Sequence, residues 1–407
     1  MKISNKRIVR LLLALSLVIC LALSMSSCVF DFSFEEFFEE VENESGQGGG
    51  GGSGSGGGSG STNFYPGSGS SSVENVSAEN RTLLSTVSII CDFDSTPSAG
   101  SGVIYSIDKQ KGDAYIVTNY HVIYYNDLFD ECKVYLYGME ADQYAIPATF
   151  IGGSIDNDIA VIKVTGSEVI KNSYAIAAPF ADSEAVRVFD TSIVVGNPEG
   201  FGISATKGII SVESEKLDIE GADGTLIHLR VMRTVAAVNL GNSGGGLYNE
   251  KGEIIGVVCA KRIGDDVDNF GYAIPSNLAK NLIDNIIYYC DGASKTQAMR
   301  PLMGITVIAS AQGVIVDPET GEISQGHVTS ISSITSGSLI ADKVAKGDII
   351  NSMTIDGVKT VINRYYQVPD TMLSARVGST VILNITRGDQ TFDVTFTVTE
   401  NMLTPIY

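Results

Sequence analysis

Residues 236–249 read AAVNLGNSGGGLYN. One serine, Ser243, stands among Gly241, Gly244, Gly245 and Gly246, with Asn242 before it and apolar residues on both sides. Gly and Asn tolerate positive φ, so a tight turn between two strands is the simplest reading. A hydroxyl is a poor nucleophile unless a base stands beside it. Whether this turn carries chemistry therefore depends on a base and an acid elsewhere in the chain.

Histidine is the side chain best matched to proton transfer near neutral pH. The chain holds three: His121, His228 and His327. His121 follows the apolar run in AYIVTNYHVI, where a strand end can fix a side chain and still let it reach a cleft. His228 alternates with Ile227 and Leu229 and reads as one face of a strand, and His327 lies in the C-terminal block. By elimination His121 is the candidate base. Such a base needs a buried carboxylate to hold its tautomer. DNDIAVIKV, residues 156–164, offers Asp156 and Asp158, and local logic leaves both open. With either acid the chain order is His, Asp, Ser, the order of the chymotrypsin-type barrels. The glycines then gain a purpose. A curled loop aims the amides of Gly241 and Ser243 at one spot, an oxyanion hole in which each donor contributes about 3 kcal/mol in the transition state. Asn242 contributes to the loop.

Around this constellation the chain is a series of short Val- and Ile-rich runs separated by Gly, Asn, Asp and Pro: TVSIICDF, GSGVIYSI, CKVYLYG, IAVIKV, SIVVGNP, GIISVES and EIIGVVCA. The spacing predicts a mainly β domain, sandwich or barrel. SNLAKNLIDNIIYYC carries Leu278, Leu282, Ile286 and Tyr289 at helical spacing, with Ser276 as the expected N-cap. A second block has strand-like ends and an expected short helix at GSLIADKV, residues 337–344.

The 407 residues exceed one ordinary domain. The net charge of −20 excludes nucleic acid and anionic lipid heads as partners held by charge. The N-terminus carries Lys2, Lys6, Arg7 and Arg10 and then an apolar run from Ile8 to Met25, roughly 27 Å as a helix. It ends in MSSC, which resembles the lipobox of bacterial lipoproteins, with Cys28 as the lipidated residue. Met25 departs from the Leu preferred there. An uncleaved signal anchor and a secreted chain are the alternatives. GQGGGGGSGSGGGSGS, residues 46–61, is a flexible linker. Cys91, Cys132, Cys259 and Cys290 allow three pairings, and a bond between Cys91 and Cys132 is conceivable. Asp265, Asp266 and Asp268 read as a solvated loop rather than a metal site.

GSGVIYS, TNYHVI, DNDIAVIKV, VGNPEGFG, ATKGIIS, AAVNLGNSGGGLYNEKGEIIGV and NFGYAIPSNLAKNL resemble, in order, the blocks of the HtrA (DegP/DegS-like) serine proteases. The resemblance implies a trypsin-like double β-barrel followed by a small α+β PDZ domain. It favours Asp158, which directly precedes IAV. The leader reads as a signal peptide over 1–27 and the composition as a linker over 28–80, while the resemblance implies a protease domain over 81–292 and a PDZ domain over 298–402. It implies Val238 and Ile263 as pocket residues, with core packing an equal reading for Val238, and a carboxylate-binding loop at RPLMGI with Met303, Gly304 and Ile305. Its implied partners are unfolded polypeptides and peptide C-termini, its assembly a homotrimer, and its location outside the cytoplasm on a membrane anchor. No cofactor or metal is implied. A peptide-sensing or chaperone-like protein with a resting-inactive site is the rival reading. Two departures stand out: Val235 replaces a frequent Asp, and Gly246 replaces a usual Pro or Ala.

Overall fold

The computed structural model describes residues 76–93, 96–125, 127–261 and 270–406. Cys28, the apolar leader, the Gly/Ser-rich stretch, Ile263, Asp265, Asp266 and Asp268 lie outside the described residues.

Helix α1 (Ala78–Ser85) leads into β1 (Thr86–Phe93), β2 (Thr96–Asp108) and β3 (Asp113–Thr118). β4 (Glu131–Leu136), β5 (Ile146–Pro147), β6 (Thr149–Ser154) and β7 (Ile159–Val164) complete a seven-stranded sheet. Its order is β5-β4-β1-β2-β3-β7-β6, antiparallel throughout. β1 is buried along almost its whole length, which is why TVSIICDF is apolar without strict alternation.

The second half is a closed six-stranded barrel. It comprises β8 (Thr191–Gly196), the long β9 (Ser204–Glu220), β10 (Leu226–Thr234), β11 (Gly246–Tyr248), β12 (Ile254–Lys261) and β13 (Gly271–Pro275), paired in the order β8-β9-β10-β13-β12-β11. The trypsin-like β-barrel expectation is met. Gly246 opens β11 because Tyr248 fills the space a side chain would need: an added Cβ would stand 2.2 Å from the Tyr248 ring. The fully buried Tyr248 hydroxyl lies 3.0 Å from Ser85 Oγ and 2.8 Å from Thr86 Oγ1. That contact ties α1 and β1 to the barrel.

α2 (Ser276–Tyr289) follows at once. Ser276 is its first residue rather than its cap. Pro275 holds the cap position, and Ser276 Oγ donates to Ala181 O at 2.6 Å. α2 buries Leu278, Ala279, Leu282, Ile283 and Ile286 in a core shared by both halves, against Val103 and Val161 on one side and Val195, Leu229 and Val257 on the other. Each large aliphatic contributes roughly 1.5–3 kcal/mol.

β14 (Ala298–Pro301) pairs with the last strand, β21 (Leu403–Ile406). Between them β15 (Ile305–Val316), β16 (Ile323–Ile334), β17 (Ile349–Ile355), β18 (Val358–Val361), β19 (Thr380–Arg387) and β20 (Gln390–Thr397) form one sheet in the order β15-β16-β17-β19-β20, with β18 on β17. Residues 337–344 form successive turns, not the expected helix. The helix of this module, α3 (Gln367–Met372), lies where no helix was expected. Pro369 hid it, yet it sits in the first turn, where a missing N–H costs little.

Leu282→Ala, at a site with no exposed surface, is expected to lower unfolding stability by about 2–5 kcal/mol in urea titration.

Candidate active site

β3 ends at Thr118, and Tyr120–Val122 forms a single 3-10 turn that presents His121. Opposite, the turn before β7 presents Asp158 with a φ of 49°, a left-handed conformation that a non-glycine residue keeps only when its surroundings fix it. They do. Asp158 N donates to Ile155 O at 3.0 Å, and Asn119 Nδ2 donates to Asp158 O at 2.9 Å. The carboxylate accepts twice from one residue: His121 N–H reaches Oδ1 at 3.1 Å, and the ring Nδ1 lies 2.8 Å from Oδ2. A carboxylate only accepts, so Nδ1 carries the proton and Nε2 keeps its lone pair. Asp158 is buried, whereas 39% of the His121 side chain is exposed. Burial pulls the imidazole pKa down, but the charge and hydrogen bond of Asp158 outweigh it, and the net shift is upward from 6.5. Asp156 is exposed and makes no such contact.

The Ser243 loop is held from behind. Leu240 O accepts from Glu199 N at 2.8 Å, Gly241 O from Ser101 Oγ at 2.6 Å, Asn242 O from Gly245 N at 2.9 Å, and Ser243 O from Ser101 N at 2.8 Å. Asn242 N is taken by Asn239 O at 3.1 Å, so Asn242 holds the loop rather than facing a ligand. Among the described residues the amides of Gly241 and Ser243 donate to nothing. Gly241 has a φ of 89°, and a Cβ there would stand 2.3 Å from Asn197 O. At Gly244 a Cβ would meet Ser101 O at 2.1 Å and Thr118 Oγ1 at 2.3 Å. The glycines thus let the loop press against the strand that delivers His121. Among the described residues no hydrogen bond joins Ser243 Oγ to His121.

Sequence reasoning missed Ser101, Asn197 and Asn119, all fully or almost fully buried. The available signal was polar residues inside apolar strand patterns, Ser101 between Gly100 and Gly102 and Asn197 between Gly196 and Pro198. His228 pairs with Asp218 at 2.6 Å on the exposed β9–β10 hairpin, and His327 stacks on Tyr365 in the C-terminal module. Neither belongs to the site.

A Do-like HtrA serine protease of Lactobacillus helveticus is 30% identical over 313 residues, covering 74% of this chain and 68% of that protein. The chain belongs to the HtrA serine protease family. The trypsin-like peptidase domain model matches residues 100–257 of this HtrA chain. The Lactococcus lactis HtrA is 37% identical over 222 residues, 53% of this chain and 50% of that protein. The chain spans about half the length of most curated relatives it matches. The solved structure of the HtrA-type protease AlgW with tripeptide has the same fold, with a TM-score of 0.53 over 81% of this chain and 96% of that one at 24% identity.

Other expected HtrA positions fall as follows. Val238 is buried with Val186, Val194, Met232 and Leu247, so it packs the barrel core rather than lining a pocket. Val235 and Leu240, in the segment that leads to Ser243, are exposed. Met303, Gly304 and Ile305 line a pocket of about 340 Å³ with Val307, Val368 and Met372. Gly304 has a φ of 75°, and its carbonyl accepts from Thr335 N at 2.7 Å. Among the described residues no group of His, Cys, Asp and Glu is arranged to hold a metal.

A larger groove, about 420 Å³, lies between the barrel and the C-terminal module. Arg230 of β10 reaches across to Asp370 of α3, packs on the Tyr366 ring at 4.2 Å, and has Glu184 at 3.7 Å. Arg364 pairs with Glu213 of β9. Burial raises the Asp370 and Glu184 carboxyls despite Arg230.

Because folding raises the His121 pKa, its protonated form adds stability below about 6.5, and that contribution is lost as pH rises through the folded value. An NMR titration of the His121 ring is expected to show a midpoint above 6.5 that falls in Asp158→Asn. A midpoint at or below 6.5 in the parent protein would contradict the account.

Proposed function

We propose that the chain is an extracytoplasmic serine endopeptidase that cleaves unfolded or damaged polypeptides. The observation that carries the reading is the His121–Asp158 hydrogen bond, which leaves Nε2 as a base, beside a serine loop with two unpaired amides. In this mechanism His121 Nε2 takes the Ser243 hydroxyl proton as Oγ attacks the peptide carbonyl. The amides of Gly241 and Ser243 bind the oxyanion, and Asp158 stabilises the imidazolium. His121 then gives the proton to the leaving amine. Water, activated by the same ring, releases the acyl group.

Residues 298–406 act in this proposal as a PDZ-like module. The Met303–Ile305 loop takes a substrate's C-terminal carboxylate, and the chain adds as a strand along β15. The relatives named periplasmic DegP support a location outside the cytoplasm. Attachment through Cys28 and assembly as a homotrimer complete the proposal. The lipobox-like MSSC after the apolar leader supports the first, and family membership supports the second.

A second reading, a peptide sensor whose protease rests inactive, is favoured by one observation. β10 leads directly into the Ser243 loop and is anchored to the module by Arg230. The module then restrains the loop until a peptide binds.

A fluorophosphonate probe is expected to label Ser243, and Ser243→Ala to lose both labelling and casein digestion. Asp158→Asn is expected to lower kcat by about 10⁴-fold while the fold persists. No labelling of Ser243, with or without C-terminal peptides, would overturn the peptidase. Arg230→Ala is expected to raise the peptide-independent rate several-fold, measured on a fluorogenic peptide. An unchanged rate would remove the restraint.

A further inference from the structure

Cys91 on β1 and Cys132 on β4 are direct partners in the antiparallel register, and both are thiols in this structure. The face on which they meet follows from one hydrogen bond. Ala148 N donates to Cys132 O at 2.9 Å, on the β5 side of β4. The N–H and C=O of one strand residue point the same way, so the Cys132 backbone turns away from β1. Cys91 and Cys132 are therefore a non-hydrogen-bonded pair, the type whose α-carbons approach to about 4.5 Å and whose side chains are closest. A disulfide spans α-carbons roughly 4.4–6.8 Å apart. The other described cysteines are elsewhere: Cys259 lies in the second-barrel core, and Cys290 lies against Gly152.

We propose that Cys91 and Cys132 form a cross-strand disulfide when the chain folds in an oxidising medium. Its occurrence in the cell rests on the extracytoplasmic reading above, whereas the chemistry rests on the pairing alone. The oxidant is a disulfide, small or carried by an oxidoreductase. A Cys132 thiolate attacks it and releases one thiol. Cys91, deprotonated, then attacks the Cys132 sulfur of the mixed disulfide and releases the second thiol. Two protein thiols are oxidised, one S–S bond forms, and the oxidant leaves as two thiols.

The step belongs to folding. Both residues are buried in the finished sheet, and the contact with Cys132 and burial push the Cys91 thiol well up, so the folded pair is a poor nucleophile. Among the described residues the outer edge of β4 pairs with the two-residue β5 alone. The bond closes the loop that carries Ser101, Thr118, Asn119 and His121. It fixes the β1–β4 register beneath the residues that position the base, and it constrains the unfolded chain.

The test refolds the full-length Ser243→Ala chain in a buffer of reduced and oxidised glutathione, so that neither self-cleavage nor the peptidase reading affects the outcome. Free thiols are blocked with N-ethylmaleimide in denaturant, and the digest is mapped by mass spectrometry. The expected product is a peptide joining Cys91 to Cys132. Its thermal midpoint should exceed that of reduced, refolded protein by several degrees, and Cys91→Ala/Cys132→Ala should show no such redox difference. Maleimide on both cysteines, or joining of either to another cysteine, would overturn the proposal. A cross-link without any gain in midpoint would overturn its stabilising role.

Discussion

Ser101 joins the two halves of the molecule. Its amide donates to Ser243 O, its hydroxyl donates to Gly241 O and accepts from Asn197 N, and its carbonyl accepts from Thr118 Oγ1. Four bonds thus connect the strand carrying the base, the nucleophile loop and the 197–200 turn through one residue with no exposed surface. A buried polar group left unmade costs about 1–3 kcal/mol, so these bonds form together or fail together. Moving the serine loop requires breaking that set or shifting the first sheet with it. This is why two sheets of different topology present one site. The shared core under α2 adds apolar area, but apolar contact alone does not fix the peptide planes of residues 240–243.

The contact between barrel and module has a different character. Arg364 is buried and Arg230, Asp370, Glu184 and Glu213 are partly buried, so the desolvation of these ions offsets much of their attraction. Such a contact specifies one arrangement without holding it strongly. Arg230 and Glu213 sit on the two strands of the long β9–β10 hairpin, and β10 runs on into the loop that bears Ser243. Apolar packing supplies the rest of the hold: Leu373 and Ile406 of the module lie in the same core as Leu282 and Ile286 of α2.

Much of the site was legible in the sequence. His121 was found by elimination among three histidines, and the structure places it on the turn after β3, hydrogen-bonded to Asp158. The glycines around Ser243 declared a special backbone, and Gly241 and Gly244 occupy positions where a Cβ would collide. Val238 stays open between pocket and core in the sequence, because a buried valine and a pocket valine look alike there, and the structure packs it in the barrel core. The helix at 367–372 was hidden by Pro369, and the turns at 337–344 showed helical composition without enough length to propagate.

The sequence by itself determined the strand content, the three chemically apt residue types and their order along the chain, since these follow from local periodicity and side-chain chemistry. Tertiary structure decided which aspartate meets His121, which amides of the serine loop stay unpaired, and which cysteines face each other. Those outcomes depend on hydrogen-bond partners brought from distant segments, such as Ser101 on Gly241 and Ala148 on Cys132. No local pattern encodes a partner that arrives only when the sheets close.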